Sequence, residues 1–179
     1  PGKLGTLAVH ESFPGHFVMD GWLKRVPSMT RRLGMSGTSI EGWAHYVEQM
    51  MVEEGFADDD PMHRIGQLQD ALLRNVRFLV AIDLHTKGMS LENASAMFQQ
   101  EAHLPEVIAE MEAKRAAAEP EVINYTLGKL QLVKLREDLR RKQGEAFTLK
   151  GFHDAVLGAG VLPVKLLREE LLGEIGDDL

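Results

Sequence analysis

PMHRIGQLQDALLRNVRFLVAIDLHTK, from Pro61 to Lys87, is the stretch whose reading decides the fold class. Its apolar residues recur at intervals of three and four, the spacing that places side chains on one face of an α-helix. Both ends are punctuated. Asp58-Asp59-Asp60 makes an acidic turn before Pro61, a residue suited to the first helical position, and Gly88 supplies the stop. The same period governs most of the chain, and no run alternates convincingly with the period of two that a half-buried strand shows. The sequence therefore predicts an all-α fold.

Working outward toward the N-terminus, Gly55 stops a helix that runs to Glu54 and starts near Ser39, whose hydroxyl is placed to cap it. The basic Gly/Ser/Thr stretch from Pro27 to Thr38 reads as a connection. A first helix, Lys3 to Val26, is interrupted near Pro14-Gly15. In the other direction, Ser90-Leu91-Glu92-Asn93 opens a helix that reaches Ala102, and His103-Leu104-Pro105 breaks the chain. Helices over Glu106 to Ala118 and Glu121 to Gln143 meet at Glu119-Pro120. Two short ones follow, Leu149 to Leu157 and Pro163 to Leu172, separated by Gly158-Ala159-Gly160. A length of 179 residues with no internal repeat suits a single helical domain over 1–179.

Composition removes several functions. Hydrophobic residues at 44% and charged residues at 26% are the balance of a folded chain. A net charge of −7 argues against a phosphate-binding surface, so no nucleic acid partner is expected. The mixed-charge run from Lys134 to Lys142 reads as a solvated helix face. With no cysteine, thiolate ligands and nucleophiles are excluded, and any metal must be held by histidine and carboxylate. No apolar run is long enough to span a bilayer, so no membrane span is expected. The chain starts at Pro1 without a methionine, which makes a preceding segment, a leader included, plausible. Cytoplasm and periplasm both remain open as compartments.

The chemistry lies in His10-Glu11-Ser12-Phe13-Pro14-Gly15-His16. A His-Glu pair followed one turn later by a second His is how a helix presents two imidazoles to zinc while the Glu reaches a water. Here the histidines are six positions apart, which in a regular helix places them about 240° around the axis from each other. Pro14 offers no amide hydrogen and Gly15 tolerates unusual angles, so a kink is required to return His16 to His10. The second element is Glu41-Gly42-Trp43-Ala44-His45-Tyr46-Val47-Glu48, which sets Glu41, His45 and Glu48 near one helical face. Glu41 is the natural third ligand; His45 reads as a further ligand, a packed histidine or, preferably, a partner behind a bound carboxylate, and Glu48 as a group that orients an imidazole or pairs with a cation. The plain reading of Glu41 is a carboxylate favoured by a helix N-terminus.

His-Glu-x-x-Pro-Gly-His followed by Glu-Gly-Trp-Ala-x-Tyr-x-Glu resembles the bacterial domain-of-unknown-function family 885, related at a distance to the gluzincin metallopeptidases. Arg74, Arg77, Asp83, His85, Gly88, Tyr125, Gly128, Lys129, Phe152, His153, Asp154, Gly160 and Pro163 follow as landmarks in the family's order. The chain departs from the pattern at Glu119-Pro120-Glu121, where the family shows Pro-Gly-Gln, and at Phe17, where a His or polar residue is usual. Family members are much longer, with a large helical region ahead of the His-Glu motif.

The resemblance implies a zinc-dependent metallopeptidase acting on peptide or small amide substrates, with Zn2+ held by His10, His16 and Glu41. Glu11 is then the general base and acid, and Tyr125 or His85 the group that stabilises an oxyanion. Arg74 and Arg77 share a helical face and are candidates to clamp a substrate carboxylate, although interhelical ion pairs are the commoner use of such arginines. Tyr125 reads equally as a core aromatic, and Met50, Met51, Trp22 and Trp43 as packing residues. Two rivals stand beside this. One is a catalytically inactive helical metal-binding or interaction domain whose exposed apolar surface calls for a homo-oligomer or for the missing N-terminal half. The other is an iron or manganese carboxylate protein, which the absence of a Glu-x-x-His pattern disfavours.

Overall fold

Every residue from 42 to 48 is buried, so one helix of this protein has no solvent face along two of its turns. That helix organises the fold. The computed structural model describes residues 2–176, and among them there are helices and turns but no strand. The helices are α1 (Gly2–Glu11), α2 (His16–Leu23), α3 (Met29–Leu33), α4 (Gly37–Glu53), α5 (Pro61–Thr86), α6 (Leu91–Glu101), α7 (Glu106–Ala118), α8 (Asn124–Gln143), α9 (Leu149–Gly158) and α10 (Val164–Leu172). Short 3-10 turns occupy Pro120–Ile123 and Gly144–Ala146. The expected all-α class holds.

The buried helix is α4, and its covering is provided mainly by α8. Their crossing is fixed by two glycines that nothing larger can replace. A Cβ on Gly128 would stand 1.9 Å from the carbonyl oxygen of Thr38, and one on Gly42 would stand 2.6 Å from Gly128 Cα. Backbone therefore lies on backbone. Around that crossing Trp43, Tyr46, Val47 and Met50 pack on Leu132 and Leu135 of α8, Phe152 of α9 and Leu167 of α10, with Met51 and Trp22 partly buried at the edge. A second cluster lies beyond α5, where Val76 and Val80 meet Phe98 of α6 and the small side chains Ala109, Ala113 and Ala116 of α7.

Capping follows the sequence at most ends. Asp60 accepts from the backbone N–H of Met62 at 2.9 Å, Ser90 from Asn93 at 3.1 Å, and Gly55 and Gly88 take positive φ at the stops. The expected interruption of the first helix separates α1 from α2 by a bend. Two expectations change. The Pro27 to Thr38 connection contains α3, capped by Ser28, a helix too short to show a period. And α4 starts at Gly37, two residues early, so Ser39 is inside it and donates its hydroxyl to the carbonyl of Leu162. In the charge-rich stretch of α8, Asp138 is only 11% exposed at its side chain, where it ties Lys134 and Arg141 to Arg168 of α10. That face is a clamp as well as a solvated surface. Among the described residues no helix is long and apolar enough to cross a membrane.

Candidate metal centre

The last turn of α1 buries Thr6, Val9 and His10, residues three and four apart, while Leu4, Leu7, Ala8 and Glu11 on the other face stay exposed. The chain then turns back through residues 12–15, with a cis bond between Phe13 and Pro14. Gly15 donates to the carbonyl of Val9 at 3.0 Å, and a Cβ there would stand 1.7 Å from the carbonyl oxygen of His10. Only glycine fits a bend this tight. Trp43, 1% exposed, donates from its indole nitrogen to the carbonyl of Pro14 at 3.0 Å and ties the bend to α4.

The bend does what the six-residue spacing requires. It brings the His16 ring edge-on to the His10 ring, centroids 4.8 Å apart. From α4, Glu41 Oε2 comes within 3.6 Å of His10 Nε2 and 3.5 Å of His16 Nε2. One ligand atom from each of the three residues lies within 4.8 Å of the others. Glu41 Oε2 is inaccessible to solvent and has no hydrogen-bond partner. A buried carboxylate oxygen of this kind needs a cation or a donor. Ligands about 2.0–2.2 Å from a tetrahedral zinc stand roughly 3.3–3.6 Å apart, so the donor set and the two distances from Glu41 suit such an ion.

Behind the three ligands is a charged support. Glu48 is 1% exposed and accepts from His10 Nδ1 at 2.6 Å and His45 Nδ1 at 3.2 Å. It also takes the fork of Arg74, Nη1 at 2.9 Å and Nη2 at 2.8 Å. With Nδ1 of His10 engaged on Glu48, Nε2 is the nitrogen turned toward Glu41, the orientation a ligand needs. Burial alone would lower the pKa of His10, but Glu41 and Glu48 outweigh it and raise the pKa to about 9. Burial also opposes ionisation of Glu41 and Glu48. His10 and His16 bring Glu41 to about 2, and His10, His45 and Arg74 bring Glu48 to about 2. His45 goes the other way: fully buried, it falls to about 4 and is neutral at neutral pH. The pocket thus holds two ionised carboxylates, Glu41 between His10 and His16 and Glu48 between His10 and His45.

The remaining candidates separate. Glu11 follows His10 at the exposed end of α1. Tyr125, in the first turn of α8, stacks on His10 with centroids 6.3 Å apart and lies under the Arg74 guanidinium. Burial, with the Glu41 charge beside it, raises its pKa, so its phenol keeps its proton. His85 is not in this group. It is eleven residues beyond Arg74, about 16 Å along α5, and its Nε2 donates to the carbonyl of Ala116 at 3.1 Å. Neither arginine is placed to clamp a substrate: Arg74 is spent on Glu48, and Arg77 makes two bonds of 2.7 Å to Glu112 of α7. Both are interhelical ion pairs, the commoner use. Sequence reasoning passed over Trp43 as a tether, although a buried indole N–H always calls for a partner.

The fold of the chain has solved counterparts. A candidate lipoprotein from Colwellia psychrerythraea is 32% identical, with a TM-score of 0.88, over 97% of this chain and 30% of its own. A candidate lipoprotein of unknown function from Shewanella oneidensis is 30% identical, also with a TM-score of 0.88, over 94% of this chain and 31% of its own. The chain thus spans about a third of the length of these structures. Among curated proteins there is no match. The family described as "Bacterial protein of unknown function (DUF885)" matches residues 2–171, and the chain belongs to that family.

Proposed function

We propose that the chain carries the zinc site of a gluzincin-like metallopeptidase. The observation that carries the reading is Glu41 Oε2, buried without a hydrogen bond and 3.5–3.6 Å from two imidazole nitrogens on a separately folded segment. His10, His16 and Glu41 would hold the metal. Zinc supplies, when bound, a Lewis acid for a peptide carbonyl and for a water.

The protein's own groups supply the rest. Glu11, beside His10 and exposed, is the carboxylate available to take a proton from water and return it to the leaving amine. Tyr125 is a protonated phenol against the His10 ring, suited to donate to the oxygen on which charge develops. Glu48 fixes the His10 ring and is itself held by Arg74. Peptide or small amide substrates fit this set.

One observation favours the second reading, a metal-binding domain that is inactive by itself. Leu4 and Leu7 are 71% and 52% exposed on the face of α1 that also carries Glu11. A surface of that kind is ordinarily covered, here by the rest of a longer protein or by a second copy.

The test uses the complete protein, purified without chelator. Metal analysis is expected to find one zinc per chain, lost in Glu41→Gln and His10→Ala. Glu11→Gln is expected to keep the zinc and lose peptide hydrolysis by about 100-fold or more. Wild-type protein without zinc, or Glu41→Gln protein with a full complement, would refute the proposal.

A further inference from the structure

Next to the three ligands is a groove of about 330 Å³ between the α3–α4 connection, the end of α7 and the start of α8. Its walls include Glu41 and Tyr125, so it opens from the metal centre itself. Met35, Ile40 and Val122 give it an apolar strip, beside the polar wall of Arg115, Glu119, Glu121 and Asn124. Met35 is 86% exposed, the barest of the large apolar side chains in the described residues, and it rims a cavity that shares two residues with the candidate active centre. At the mouth of a cavity beside the candidate centre, such a side chain is placed to cover an apolar group.

The charges in the groove point to the kind of side chain. Arg115 is closed on Glu119 by a 2.9 Å bond, so this wall carries no net charge. Glu121 is exposed at the same wall and adds a single negative charge that opposes an acidic group. A volume of this size accepts one medium-sized side chain, not a folded partner.

We infer that this groove is the specificity subsite of the proposed peptidase, taking an apolar side chain of the leucine or methionine class from the residue next to the scissile bond. The inference rests on the metallopeptidase reading for the word substrate, but the groove can be tested without the metal. Chelator-treated complete protein, labelled at Met, Ile and Val methyl groups, is titrated with blocked pentapeptides Ac-Gly-Gly-X-Gly-Gly-NH2, where X is Leu, Lys or Glu.

The leucyl peptide is expected to move the signals of Met35, Ile40 and Val122 and to bind at least about tenfold more tightly than the other two, the order of discrimination that one buried apolar side chain gives. Met35→Glu, a change on an exposed residue that leaves the core untouched, is expected to weaken the leucyl peptide about tenfold and to favour the lysyl one. Shifts confined to other methyls, or equal binding of the three peptides, would overturn the subsite. Leucine-selective shifts in a protein that never holds zinc would keep the groove and remove the peptidase reading, so the two can fail separately.

Discussion

The two segments that supply the proposed metal ligands are built in opposite ways. Glu41 comes from α4, a regular helix whose next seven residues, 42–48, are all buried and which is locked to α8 through Gly42 and Gly128. His10 and His16 come from a broken helix on the surface, whose bend is flanked by exposed Phe13 and Phe17 with rings 5.2 Å apart. One ligand is held by mass of packing; the other two rest on a close contact at Gly15, a tether from Trp43 and the bond of His10 to Glu48. Precision at a site does not demand uniform burial. A rigid platform suffices when the exposed part has only one way to fold back onto it.

The comparison breaks most completely at the bend. Gly15→Ala puts a carbon 1.7 Å from the His10 carbonyl oxygen, closer than any non-bonded approach, so the bend must open and His16 leaves His10. We expect a loss of about 4 kcal/mol or more in denaturant unfolding together with loss of bound metal. A Gly15→Ala protein that retains metal and stability would show that the bend is not the constraint. At Gly21, where a Cβ would meet nothing within 4 Å, the same substitution is the control and should be neutral or better.

Removing the platform's charge should cost slightly less. Glu48→Ala takes away the carboxylate shared by His10, His45 and Arg74 and leaves Arg74, 12% exposed at its side chain, without its partner. Breaking a buried ion pair from one side costs about 3–5 kcal/mol. Zinc affinity should fall roughly 10- to 100-fold, as it does when the group behind a metal-bound imidazole is removed. Calorimetric zinc titration with unfolding of the same protein reads both, and an unchanged zinc affinity would mean that Glu48 only stabilises the core.

How much of this could be read beforehand follows the same division. The platform was legible: Glu41, His45 and Glu48 are three, four and seven apart, and a helix does the rest. The bend was legible as a requirement, because histidines six apart cannot share a helical face and Pro14-Gly15 marks the break. Its geometry was not, since the contact of Gly15 with the His10 carbonyl depends on backbone closure that no pattern encodes. For Arg74, Arg77 and His85 the sequence left the use open for a common reason. Spacing says that they share faces of α5, but their partners Glu48, Glu112 and Ala116 come from α4 and α7, distant in sequence. Helix α3 escaped because five residues give a period nothing to repeat.

The smallest effect sharpens the comparison by isolating acid sensitivity. Burial opposes ionisation of Asp138, but Lys134, Arg168 and Arg141 hold its carboxyl well below the ordinary value of 3.8, just as Glu48 is held below 4.5. A carboxyl depressed in the folded state binds fewer protons folded than unfolded, so its stabilisation is present above the unfolded pKa and is lost as pH falls toward the folded one. Both groups therefore weaken the fold between about pH 5 and the acid limit, one beneath the ligands and one at the α8–α10 clamp. Asp138→Asn should lower the melting temperature by a few degrees at pH 7, and the difference from wild type should shrink as pH approaches 3. A difference that stays the same on acidification would mean the clamp acts by packing alone. The acid loss that survives in Asp138→Asn includes the platform's share, and it should be steeper in protein loaded with zinc, because a cation held by His10, His16 and Glu41 keeps these groups from binding in the folded state the protons they take up when unfolded.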